Sequence, residues 1–174
     1  MEFIFETEYD YKALTIMAKA LRKTIRKKRS RISHVLGWGI ILLSLLVSLP
    51  DGEEPFNINF NLVVTWAADL VILIVLLFED KINGYFAKKH MINGTDKARC
   101  VFREDGYSSI TEAGTTEWKY SNIISVAETT DYFIFIFDKN HAQIYDKMTI
   151  SGGDENEFRR FISEKTSSKI ILIK

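Results

Sequence analysis

The sequence predicts a membrane α+β protein: a two-helix transmembrane hairpin joined to a small cytosolic antiparallel β domain that ends in one helix. Three observations lead there. Two apolar runs, residues 32–49 and 62–78, are separated by a short acidic stretch. Basic side chains flank the pair on both outer sides. Beyond residue 95 the hydrophobic period drops from helical spacing to the alternation of short strands.

Residues 1–31 form the first segment, a cytosolic arm. Met1 to Glu6 is a short strand candidate, and after Thr7 the residues Leu14, Met17, Leu21 and Ile25 recur at helical spacing, within roughly 80° of arc. Lys12, Lys19, Lys23 and Arg26 gather on the opposite side. Two readings of this basic amphipathic helix stay open. It lies on the inner leaflet, with Lys23, Arg26, Lys27, Lys28, Arg29 and Arg31 at the membrane surface near anionic headgroups. Alternatively, the basic run only fixes orientation while the apolar stripe packs on the C-terminal domain.

Residues 32–78 are the hairpin, with spans of about 32–49 and 60–78. The first run of 18 residues contains only Ser33, His34, Ser44 and Ser48 as polar members; the second, 62–78, has one charge, Asp69. Each is long enough to cross a hydrocarbon core of roughly 30 Å. Seven of the ten residues 22–31 are basic, whereas the connection Pro50–Asn57 carries Asp51, Glu53 and Glu54 and no base. The positive-inside rule therefore puts both termini in the cytoplasm of a multi-pass inner-membrane protein, with the acids outside. A signal peptide is disfavoured: a patterned arm precedes the basic run, no small-residue cleavage site follows, and a second span does.

Asp69 falls near mid-membrane, where an ionised carboxylate costs about 2.5–3.5 kcal/mol, so it must face protein. Ser44 comes from a similar depth and is its predicted partner, in a Ser44-x-x-x-Ser48 small-residue pattern that allows close helix approach. Two spans with one acid make a poor ion pathway, so the contact points to assembly, within the hairpin or between copies. His34, Trp38 and Trp66 read as interface anchors.

Residues 79–94 continue the second helix as a linker, stopped by Asn93-Gly94. His90 lies there with no partner nearby in sequence. Residues 95–174 are the β domain. Six strand-like runs, 98–102, 107–111, 115–119, 123–127, 132–137 and 142–146, are joined by turns such as Asp105-Gly106 and Ala113-Gly114. Their tight spacing predicts one antiparallel meander curled over a helix. Tyr132 to Phe137 is apolar on both faces and needs two covers. The helix begun by Asp154, with Glu157 in capping-box spacing and Phe158, Phe161 and Ile162 behind it, is the candidate second cover. Residues 170–173 read as a last strand, and Phe3 and Phe5 as an edge strand from the other end of the chain.

The chain carries Glu8-Tyr-Asp-Tyr-Lys-Ala-Leu14, Val101-Phe-Arg-Glu-Asp-Gly106, Trp118-Lys-Tyr-Ser-Asn-Ile-Ile124, Val126-Ala-Glu-Thr-Thr-Asp-Tyr-Phe-Ile-Phe135 and Gln143-Ile-Tyr-Asp-Lys147 around its two spans. With these it resembles the YcxB-like family of bacterial membrane proteins. The resemblance implies that the C-terminal domain has a small pleckstrin-homology-type (PH-like) fold. Family members carry Pro-Lys where this chain has Asp146-Lys147, so the corner before the final helix differs. The shared motifs are strand and turn chemistry with no catalytic signature.

Residues 1–31 hold nine basic and four acidic side chains, whereas residues 95–174 hold eleven basic and thirteen acidic, which argues against nucleic acid as a partner. His34, His90 and His141 lie in three separate regions, and the lone Cys100 sits in an apolar run, so no metal, cofactor or catalytic site is expected. Asp138, Asp146 and Asp154 read as solvated or capping residues. The leading expectation is a non-enzymatic protein whose cytosolic domain binds a protein or peptide at the membrane surface, with an immunity or self-protection role as its sharper form. The alternative is recognition of anionic lipid headgroups. The partners are then the bilayer, a protein of unassigned identity, and further copies of the chain.

Overall fold

A computed structural model describes residues 2–49, 58–166 and 168–173. Asp51, Glu53 and Glu54, the acids of the connection, lie outside the described residues.

The fold is α+β, with two long apolar helices and two mainly antiparallel sheets. Strand β1 (Phe3–Glu8) leads to α1 (Tyr11–Lys23), and helices α2 (Lys27–Val47) and α3 (Phe60–Lys89) follow. Then come β2 (Lys97–Phe102), β3 (Tyr107–Thr111), β4 (Gly114–Trp118), β5 (Ser125–Glu128), β6 (Tyr132–Ile136), β7 (Ala142–Asp146), α4 (Glu155–Thr166) and β8 (Ile171–Leu172).

Helices α2 and α3 are each long and apolar enough to cross a membrane, with mean hydropathy of 1.6 and 2.4 over their most apolar stretches. Nearly all of that apolar surface is turned outward: Val35, Leu42, Val47, Phe60 and Val71 are each 60% or more exposed. A hairpin buried in a soluble core would have covered them. Helix α3 runs past the predicted end of the second span at Phe78, the one residue inside it with non-helical backbone angles (φ −115°, ψ 19°).

One curled meander is predicted; the strands instead form two four-stranded sheets, ordered β1-β2-β3-β4 and β7-β6-β5-β8. The meander breaks after β4, where a 3₁₀ turn at Tyr120–Asn122 carries the chain into the second sheet. Tyr120 stitches this corner by donating its hydroxyl to the carbonyl oxygen of Arg103 at 2.7 Å. Strand β1 pairs antiparallel with β2 in register Phe5↔Cys100; on its other side it bridges Ile4 to Ser151, in the segment after β7, and Thr7 Oγ1 accepts from the Asp146 amide of β7 at 3.1 Å. The last strand, β8, lies parallel to β5.

Strand β6 is buried along its whole length and has two different covers. Phe133 and Phe135 point into the main core with Phe3, Phe5, Phe102, Tyr145 and Phe158. Tyr132, Ile134 and Ile136 point the other way, into a second cluster with Ala13, Ala20, Leu21 and Ile173. Helix α4 therefore fills the interior, and the cover on the second face is α1, not the C-terminal helix. Of the two readings of the basic amphipathic arm, the structure has the packed one, with Ala13, Leu14, Ala18, Ala20 and Leu21 buried. Met17 is only partly buried and Ile25 is exposed, because the helix ends at Lys23 and the chain turns toward α2.

Helix α4 starts with the predicted reciprocal cap. Asp154 accepts from the backbone of Glu157 at 2.8 Å, and Glu157 accepts from the backbone of Asp154 at 3.0 Å. Asp146 likewise caps the 3₁₀ turn Lys147–Thr149 by accepting from the Met148 amide at 2.9 Å. Asp138 accepts from the amides of Asn140 and His141 in the turn between β6 and β7.

Candidate membrane-facing site

Polar side chains from the end of α1, the start of α2 and the middle of α3 gather into one knot. Arg22, at the end of α1, grips Asp80 with two hydrogen bonds of 2.6 Å. Ser30 and His34, one turn apart on α2, both reach Glu79, at 3.0 and 2.9 Å. Glu79 and Asp80 directly follow Phe78, so this knot sits where the apolar part of the hairpin gives way to its polar base. The side chains of Arg22 and Asp80 are 26% and 16% exposed, a bidentate pair sheltered enough to act as a clamp between α1 and α3.

Sequence reasoning missed this knot. Its signal was present in two adjacent acids directly after a span, where positive-inside patterning calls for lysine or arginine. His34, predicted as an interface anchor, is a hydrogen-bond partner of Glu79.

The clamp is reinforced above it. Lys88 donates to the carbonyl oxygen of Tyr9 at 2.9 Å, and Tyr11 stacks on Tyr85 with centroids 6.2 Å apart. Gly84 lets the two helices touch, since a Cβ there would lie 2.6 Å from Thr15 Oγ1 and 2.9 Å from the Thr15 amide nitrogen. His90, without a partner nearby in sequence, bonds the Phe86 carbonyl oxygen at 2.9 Å and stacks on its ring.

The six basic residues assigned to the membrane surface fall into separate settings. Arg26 turns back to the β6–β7 turn, donating to the Lys139 carbonyl oxygen at 2.6 Å and to Asn140 Oδ1 at 3.2 Å. Lys27, Lys28, Arg29 and Arg31 are exposed along the first turns of α2. Lys23 and Lys27, with Ser30 and Arg31, line a groove of about 510 Å³ closed on its far side by Ile171, Leu172 and Ile173. Among the described residues none that lines the groove is acidic.

Deeper in the hairpin, the Ser44 hydroxyl donates to Asp69, and both side chains are half-buried between the helices. Ser48 bonds back to the Ser44 carbonyl oxygen at 2.7 Å, so it serves its own helix. The close approach in this hairpin is at Gly37, where a Cβ would lie 2.9 Å from the Leu76 side chain.

A second ionic cluster lies inside the domain. Glu128 on β5, 3% exposed, accepts from Lys147 at 2.5 Å and from Arg159 of α4 at 2.6 and 2.9 Å. Burial works against its charge, but the bonds from Arg159 and Lys147 outweigh that and hold its pKa below the usual glutamate value. Lys147 also lies 4.7 Å from the centroid of the Phe133 ring. Of the adjacent Asp146 and Lys147 at this corner, the lysine is the buried one.

Cys100 is 1% exposed, and burial pushes its thiol up to about 11, which leaves it protonated and unreactive at neutral pH. Among the described residues no group of three or more His, Cys, Asp or Glu side chains could hold a metal ion. The first sheet ends in β4, whose residues Gly114–Glu117 are all exposed and whose outer edge has no neighbouring strand among the described residues.

Residues 102–162, from the end of β2 into α4, match the family model described as YcxB-like protein. The match leaves out β1 and α1, which complete the core and cover its second face. No curated protein and no solved structure matches the chain.

Proposed function

We propose that this is a non-enzymatic, two-span inner-membrane protein that holds a PH-like β domain at the cytoplasmic face and offers it to a protein or peptide partner. The YcxB-like match and the outward-facing apolar helices α2 and α3 support the location. Pairing of β1 with β2 supports a shared side for the two ends, because strands from either end of the hairpin cannot join one sheet across a bilayer. The seven basic residues before the first span favour the cytoplasm as that side.

The observation that carries the partner reading is the open edge of β4. Among the described residues no strand pairs with its outer side, its side chains Thr115, Thr116 and Glu117 are exposed, and an extended peptide can add there as a fifth strand. The other sheet ends are less open: β7 is flanked by β1, and β8 is two residues long.

Photo-crosslinking in cells tests it. A photo-reactive residue at Thr116 should capture one reproducible protein, and a proline scan of 114–117 should abolish capture at the positions whose amides face outward. Equal capture from Thr116 and from the distant, exposed Met148 would reject the edge as the docking site. For location, Met148→Cys in a Cys100→Ser background should react with an impermeant maleimide only after the cells are permeabilised.

A further inference from the structure

We infer that the groove between the start of α2 and strand β8 binds the phosphate of an anionic lipid headgroup. The inference does not rest on the β4 edge.

Three features meet in one place. Lys27 and Arg31 are one helical turn apart on α2, so their charges point to the same side. The carboxylates at the hairpin base do not neutralise them, since Asp80 is held by Arg22 and Glu79 by Ser30 and His34. The wall opposite is apolar: Ile171 is 41% and Leu172 is 73% exposed, held in place by the pairing of Ala127 with Ile171 and of Glu128 with Leu172.

Depth decides what such a groove is for. Arg31 is immediately followed by Ile32, the first residue of the apolar run, so the groove opens at the level where headgroup phosphates meet acyl chains. A cationic wall at that level recognises the phosphate, and an exposed Ile-Leu pair alongside it takes the start of an acyl chain. A soluble phosphate compound would use the first wall and gain nothing from the second. At about 510 Å³ the groove is large enough for a glycerophosphate head.

The test uses the full-length protein in nanodiscs of phosphatidylcholine and phosphatidylglycerol in equal parts, with retained lipid read by native mass spectrometry. The wild type should retain phosphatidylglycerol. Lys27→Gln/Arg31→Gln should weaken that retention roughly 30-fold. The matched double Lys28→Gln/Lys89→Gln, which removes the same charge from exposed positions outside the groove, should change it less than about threefold.

Equal losses in the two doubles would mean diffuse attraction and overturn the site, as would no loss in either. Inorganic phosphate is the second arm. If it displaced the lipid at millimolar concentration, the ligand would be a soluble phosphate; if Leu172→Ser left lipid retention unchanged, the apolar wall would take no acyl chain, and either result would overturn the assignment. Both charge doubles replace exposed side chains, so the core stays intact in each.

Discussion

The two faces of β6 hold the same strand by different means. One face is aromatic: Phe133 and Phe135 meet Phe158 in edge-on and stacked geometry, with centroids 5.1 and 6.3 Å apart, inside a cluster closed by Phe3, Phe5 and Phe102. The other is aliphatic: Ile134 and Ile136 meet Ala13, Ala20 and Leu21 of a helix that comes from before the hairpin. Large rings fix a unique interior, because few arrangements satisfy their edges and faces together. Small side chains on α1 allow a helix to lie flat on the sheet, and α1 is in turn clamped to α3. The first face makes the domain; the second fixes the domain to its two long helices.

Variants can separate these roles. Phe158→Ala removes the ring that touches Phe3, Phe5, Phe102, Phe133 and Phe135, and should cost about 3–5 kcal/mol of domain stability in denaturant unfolding. A cost under about 1 kcal/mol would show that the aromatic face is not the organising one.

Glu128→Gln leaves the buried Lys147 with only the half-exposed Glu155 as its ionic partner, 3.2 Å away, and should cost about 3 kcal/mol. It should also change the acid limb. Because Glu128 has a lowered pKa in the folded state, its contribution is present above the unfolded value of about 4.3 and is lost as pH falls through the lower folded value. The variant should unfold in acid with a shallower dependence on pH over that window. An unchanged slope would remove Glu128 from the account.

Gly84→Leu attacks only the second face. It forces α1 away from α3 at Thr15, at about 1–3 kcal/mol, and should raise amide exchange along residues 11–23 while the aromatic core keeps its protection. If exchange rose equally at residues 133–135, the two faces would be one cooperative unit. Ile134→Val, the mildest change, should cost about 0.5–1.5 kcal/mol, and the loss should appear first as faster exchange in α1.

Much of this could be read from the chain. Hydropathy and charge pointed to two apolar helices, Asp69 to a partner on the other helix, Asp154 and Glu157 to a helix start, and the doubly apolar β6 to two covers. Apart from the Asp69 contact, which depth in the hairpin supplied across 25 residues, these are local signals, carried by spacing within about one or two turns of the chain. The identity of the second cover was not legible, because an amphipathic stripe states that a face will be buried and not against what. The split into two sheets was equally hidden. It turns on the corner at Tyr120, where a single hydroxyl bonds a carbonyl oxygen 17 residues earlier.

The sequence alone determined which segments are apolar enough for lipid, where helices and turns begin, and that residues 132–137 are buried, since each follows from side-chain chemistry over short distances. Pairing of Phe3 and Phe5 with the later domain was legible as an edge strand, but only the tertiary structure decided that α1, which also precedes the hairpin, covers the second face of that domain. Only there do Glu79 and Asp80 become a clamp, and Lys27, Arg31 and Leu172 one groove. Those relations join residues 49 to 145 positions apart, and no pattern along the chain encodes a distance of that kind.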